Sequence, residues 1–404
     1  MNLRTAFIIR AACLLLVMAG FAPAGAKTAG NHGIGRSEAL PYKGSIEDAL
    51  RASAAGATIP MSRYGVTAGK DGRRYSGTIV GAGPTTAPKT TTKINVLVVP
   101  LIVHIGTTVF NPSAIDTCVS SKVTPLAATL QSPLFKNAAF DGKTGAGHAA
   151  KMNGVAVGTT TYPDATRRGE FWADVHGTNY HSAFAVSVAA PWTISAATVN
   201  TLGGGSVIAT DCAKLGVLPT DAFRNYIANT VIPEVAAIKP TVFVLFLLKD
   251  VVTTTDTPLN CIHFCDYGYH SAIGTPVQTY AVSEYDSTLH FWNDPGVRDI
   301  APLSHEISEW LDDPLVTNPT PPWGYIGEVS GGCQSNWEPG DPLTGHDYPA
   351  IAMPDGLTYH PQELAFQAWY YNAHTQASPG AGRKFSSNGT LSGPAKPCPP
   401  GGTY

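Results

Sequence analysis

Apolar residues in this chain gather into a few dense runs, separated by long stretches rich in Gly, Pro, Thr and Ser. The densest is Thr241-Val242-Phe243-Val244-Leu245-Phe246-Leu247-Leu248, and a second covers residues 94–103. Neither alternates with polar residues, which is the pattern of strands buried on both faces. Shorter segments at 75–80, 170–175, 183–188 and 278–283 predict further strands. Helical spacing links Phe223, Ile227, Val231 and Val235 behind Asp221, and weaker helices are predicted over 46–54 and 126–135. One more helix, at 303–313, follows the strand at 278–283. Strands mixed with a few helices predict an α+β, or mixed α/β, architecture. No fixed-period repeat is present, and Gly203-Gly204-Gly205-Ser206 reads as a flexible turn, because no phosphate-cradling motif surrounds it.

Outside these runs the chain divides by composition. Residues 1–26 have the plan of a secretory signal: Arg4 and Arg10, an apolar core at 13–18, and the small-residue stretch Ala24-Gly25-Ala26. That core is shorter than the roughly 20 apolar residues of a membrane span. The expectation is a mature protein starting at Lys27 and secreted, to the extracellular space or a periplasm. Residues 27–92 read as an N-terminal linker or pro-segment, 93–377 as the globular domain, and 378–404 as a Gly- and Pro-rich tail wrapping the surface.

Charge narrows the choice of partner. The formal net charge is −3; without Arg4 and Arg10 it is 24 basic against 29 acidic residues, or −5. No basic cluster favours nucleic acid or an anionic membrane. Six cysteines remain once Cys13 leaves with the signal: Cys118, Cys212, Cys261, Cys265, Cys333 and Cys398. An even set in an exported chain predicts disulfides, with Cys261 and Cys265 spaced to close a small loop.

The candidate chemistry lies on the last helix. Leu303-Ser304-His305-Glu306-Ile307-Ser308-Glu309-Trp310-Leu311-Asp312-Asp313-Pro314 carries His-Glu-x-x-Glu, one residue from the His-Glu-x-x-His signature of zinc peptidases. Helical projection gathers Leu303, Ile307, Trp310 and Leu311 on one side, and His305, Glu309 and Asp313 on the other, with Glu306 on the flank. His305 and Glu309 can therefore reach one metal ion, and Glu306 can act as general base. Glu328, beyond a turn at 319–324, is the expected third ligand, with Asp313, Glu338 and Asp341 as competitors. Zinc is the expected cofactor, although two carboxylates and one imidazole also suit other divalent cations such as manganese, calcium or iron.

In order, Cys265-Asp266-Tyr267-Gly268-Tyr269-His270-Ser271, a strand, the His305 helix, Pro314-Leu315-Val316 and Glu328-Val329-Ser330-Gly331-Gly332-Cys333 resemble a known family. This is the EXORDIUM-like, phosphate-induced family of plant extracellular proteins and similar exported bacterial proteins. The resemblance spans about residues 261–341. It implies that Glu309 belongs to a recurring pattern and that Glu328 occupies a motif position; Gly331 departs from it, standing where the family's segment has Asp. Motif order also implies that Tyr269 and His270 lie near the helix, where either could donate to a developing oxyanion. A structural histidine beside a disulfide is the competing reading of His270, and the same reading applies to His263, His290, His346 and His360.

Together these readings predict a zincin-like domain with its active-site helix near 300–313. The expected function is that of an exported metallohydrolase, specifically a metalloendopeptidase, acting on a peptide or protein substrate. In that reading Glu306, His270 and Tyr269 are catalytic, and His305, Glu309 and Glu328 hold the metal. The rival is a non-catalytic extracellular or cell-wall-associated protein, with a structural metal or none.

Overall fold

The computed structural model describes residues 40–120, 122–262, 265–288, 297–324, 333–373, 385–396 and 398. The two densest apolar runs lie side by side at its centre. Val242–Lys249 pairs in parallel with Thr91–Ile105 on one side and with Gln278–Tyr285 on the other. His181–Val188 extends the sheet in parallel beyond the long strand, and Gly268–Ile273 closes the opposite edge in the antiparallel sense. A mixed α+β fold results, as the patterning predicts.

Both faces of this sheet are covered, which is why its inner strands lack alternation. Val96, Val98, Phe243, Leu245 and Leu247 face the helix Ala301–Asp312, packing with its Leu303, Ile307, Trp310 and Leu311. Trp310 stacks on Phe243 with ring centroids 3.6 Å apart. Leu97, Val99, Leu101, Val244 and Phe246 pack on the other face with Phe223, Ile227 and Val231. The helix behind those three begins as Thr220–Tyr226 and widens into a π turn at Ile227–Val231.

The helix at Ile46–Ala54 and the strands Arg74–Val80 and His181–Val188 fall where expected, and the helix expected at 126–135 is found as Pro125–Gln131. Residues 170–175 do not form the strand that was expected. They end the helix Tyr162–Glu170 and make the short helix Trp172–Val175. Phe171 and Val175, four apart, are the buried pair there, so the period is helical.

The expected linker over 27–92 also reads differently from residue 40 onward. The hairpin Met61–Thr67/Arg74–Val80 packs into the body, with Ile59, Met61 and Val80 in the main core. Asn318 ties it down: its Oδ1 accepts from Thr78 N, and its Nδ2 donates to the carbonyls of Thr78 and Asp312, each at 2.7 Å. A Cβ on Gly77 would lie 2.3 Å from that Oδ1, so the close approach requires glycine. Arg167 adds a second tie, donating to Val80 O and to Leu311 O at 3.1 Å each. A segment too poor in apolar residues to fold alone is thus held by the domain's polar groups.

Within the expected tail, Phe385, Leu391 and Ala395 enter a second core with Trp323, Trp337 and Trp369. The six cysteines pair as Cys118–Cys212, Cys261–Cys265 and Cys333–Cys398. Among the described residues, no helix is long and apolar enough to cross a membrane.

Candidate metal centre

The helix Ala301–Asp312 is buried along its whole length, polar side included. Its apolar side meets the sheet. Its polar side meets the edge strand Gly268–Ile273, the segment beginning at Cys333–Asn336, and Gln362. Burying that side brings together His270, His305, Glu306, Glu309, Asp313, Glu338 and Asp341, of which only Glu338 retains even 2% exposure.

His305 Nε2 lies 2.9 Å from Glu309 Oε1 and 3.5 Å from Asp341 Oδ1, and all three residues can reach one ion. Around His270 a second group forms: its Nδ1 is 3.5 Å from Glu309 Oε2 and 3.6 Å from Glu306 Oε2. Two ligand atoms each about 2.0–2.1 Å from a tetrahedral ion sit about 3.3 Å apart, so both groups have ligand-like spacing. His305 Nε2, His270 Nδ1, Glu306 Oε1 and Oε2, Glu309 Oε2 and Asp341 Oδ1 are buried and make no hydrogen bond. Buried polar atoms are rarely left so, and a cation is one partner that would satisfy them all.

Hydrogen bonds on the far side of each ring fix which nitrogen is bare. Gln362 Nε2 donates to Gly340 O at 2.6 Å, which turns its Oε1 toward His305 Nδ1, 3.1 Å away. An acceptor there calls for a proton on Nδ1 and a lone pair on Nε2. Tyr267 Oη also lies 3.0 Å from that Nδ1. His270 is locked in the mirror sense. Its Nε2 faces the Asp313 carbonyl at 3.0 Å, so Nδ1 is left to face the carboxylates.

Glycines permit the approach of the surrounding segments. A Cβ on Gly340 would fall 2.4 Å from the His305 ring, and one on Gly268 would fall 2.7 Å from Glu306 Oε1. Gly340 N also donates to Glu309 Oε1 at 3.1 Å.

Burial by itself pushes each of these groups toward its neutral form. Against that, Glu309 holds His305 well above the usual imidazole value, and Glu338, Glu306 and Glu309 do the same for His270. Burial also opposes ionisation of Glu309, yet His305 and His270 bring its carboxyl down to about 2. Burial leaves Glu306, Glu338 and Asp341 raised, and takes Asp313 up to about 7. A cation bound between these groups would take over the role that the carboxylates and imidazoles now play for one another.

Of the residues expected from sequence, His305, Glu306, Glu309 and His270 are brought together. Glu328 lies outside the described residues, as do His263 and His290. Among the three competitors for third ligand, Asp341 is the one grouped with His305 and Glu309. Asp313 instead accepts from Thr317 N and Asn318 N at 2.9 Å each, closing the turn after the helix. Glu338 stands beside His270, 3.8 Å from its Nε2.

Tyr269 is not brought to the site. Gly268 and His270 face the helix, so strand alternation sends Tyr269 through the sheet to Tyr280 and under Arg224, 4.9 Å from its ring centroid. The oxyanion role expected of Tyr269 gives way to this packing, and His270 faces carboxylates with its bare nitrogen. His360 pairs with Asp299 at 2.6 Å, in a different place. Tyr267, Gln362 and Gly340 were missed altogether; Tyr267 lay within the quoted motif, whereas Gln362 carries no sequence signal.

Comparison with models of known families, with characterised proteins and with solved structures finds no match to this chain.

Proposed function

We propose that this chain is an exported, zincin-like, metal-dependent hydrolase, acting as an endopeptidase. The observation that carries the reading is the convergence of His305 Nε2, Glu309 and Asp341 Oδ1, buried and short of partners, beside a Glu306 whose carboxylate oxygens are both unbonded. Zinc is the first candidate, and the two carboxylates also suit manganese or iron. A cation held there supplies a Lewis acid for the scissile carbonyl and acidifies water.

The chain's own residues supply the rest. Gln362 keeps the His305 lone pair aimed inward, and Gly340 N holds Glu309. Glu306, raised by burial, is suited to accept a proton during attack on the carbonyl and pass it to the leaving amine.

The test is metal content together with hydrolysis of an unfolded protein substrate by the mature chain. We expect bound divalent metal, activity lost on chelation, and a Glu306→Gln variant that keeps the His305-bound ion but does not turn over. Full activity in Glu306→Gln would refute the mechanism. Complete burial of the centre favours a second reading, a structural metal in a non-catalytic extracellular protein. In that case chelation would lower the melting temperature, with no hydrolysis in any metal-loaded form.

A further inference from the structure

We infer that the centre holds two divalent cations, bridged by the two oxygens of Glu309. The inference rests on the metal-site reading above and extends it. Glu309 Oε1 belongs to the His305–Asp341 group, and Glu309 Oε2 to the His270–Glu306 group. One carboxylate thus offers a separate oxygen to each group.

Each group also has its own histidine, locked from behind by a different acceptor, the Gln362 side chain for His305 and the Asp313 carbonyl for His270. A single-ion site has no use for the second arrangement. His270 Nδ1 would then be buried 3.5 and 3.6 Å from carboxylate oxygens of Glu309 and Glu306, with no hydrogen bond to either.

Charge argues the same way. Glu306, Glu309, Asp313, Glu338 and Asp341 are all buried, and among the described residues no lysine or arginine forms a salt bridge with any of them. Five carboxyl groups gathered without a basic partner offer more negative charge than one divalent cation can balance. Uncompensated buried charge is strongly unfavourable, so a second ion still has a driving force to enter.

Paired sites of this kind hold their ions about 3.5–4 Å apart, a distance one carboxylate can bridge. Glu306 Oε2 would face the second ion, leaving Oε1 for the proton. One imidazole with several carboxylates per ion matches manganese or zinc.

The experiment uses the full mature chain, stripped with chelator, reloaded with Mn2+ or Zn2+, desalted and analysed for metal per chain. For the Mn2+ form, electron paramagnetic resonance adds a readout of spin coupling. We expect about two ions per chain and an exchange-coupled Mn2+ spectrum. His270→Ala should keep about one ion with an uncoupled spectrum, and the near-isosteric Glu306→Gln should weaken the second ion even if His270→Ala does not fold. Glu309→Gln should release both.

One ion per chain, unchanged in Glu306→Gln and with an uncoupled spectrum, would overturn the second position and leave the hydrolase reading standing. No ion in any form would overturn both.

Discussion

Among the buried acids of the described residues, two groups are compensated in opposite ways. Asp116 and Asp250 share Lys249, whose Nζ is 2.9 Å from one and 2.6 Å from the other. Ser287 completes the group, its hydroxyl 2.7 Å from both acids and its backbone N donating to Asp250. No carboxylate oxygen of that pair is left without a partner. At the His305 centre, four of five acids keep at least one oxygen with none, and among the described residues no lysine forms a salt bridge with them. The first group brings its own cation; the second, on the proposed function, would take its cation from solution.

The comparison can be broken most decisively at Glu309. Glu309→Gln should lose all bound metal and drop hydrolysis to background, as measured by metal analysis and substrate assay. Retention of metal would mean that the two groups do not share this residue.

Next in size is Lys249→Met, which strands Asp116 and Asp250. Breaking a buried pair by removing one partner costs roughly 3–5 kcal/mol, readable by urea denaturation. Divalent cations should not rescue this variant, although they should stabilise the wild-type chain. Rescue would erase the distinction between the two groups.

A smaller effect is expected at Gln362. Gln362→Leu frees the His305 tautomer and should weaken metal binding about 10–100-fold, measured by competition with a chromogenic chelator. An unchanged affinity would remove Gln362 from the account of the site.

The gentlest test is pH. Burial, reinforced by Asp286 and Asp250, holds the Glu284 carboxyl well above the ordinary carboxylate range. Asp312 is raised to about 6 by burial and Glu309, despite Arg167, and Asp313 is raised to about 7. Folded chain therefore binds protons that the unfolded chain releases, and stability falls as pH rises from about 4 to about 7. Glu309 has the opposite sign, and its contribution is lost as pH falls from 4.5 toward 2. Denaturation of the metal-free protein should show that decline, and Glu284→Gln should gain on wild type as pH rises. Added metal should flatten the slope if the centre dominates; an unaltered slope would assign it to Glu284 and its neighbours.

How far sequence could go follows from the range of each interaction. Runs at 94–103 and 241–248 needed no context, because a strand buried on both faces is apolar throughout. The spacing of His305 and Glu309 is a property of one helix turn, and it too could be read directly. Choosing Asp341 over Asp313 required knowing that backbone N–H groups claim Asp313, and that Gly340 lets its segment touch the imidazole. The side of the sheet that Tyr269 faces depended on strand register. For residues 40–92, apolar content was a poor guide, because Asn318 and Arg167 hold the hairpin from outside it.

The spread of the candidate donors along the chain has a consequence for how the proposed centre would acquire its ions. His270, His305, Glu309 and Asp341 come from three separate elements, and Asn318 anchors the early hairpin to the end of the helix between them. A chain still emerging from synthesis lacks Asp341, and a chain whose sheet has not closed cannot bring His270 to the helix. On the proposed function, metallation therefore comes late, in whichever compartment folding is completed. The ion pool of that compartment, as much as the donor atoms, would then determine which metal the proposed centre holds.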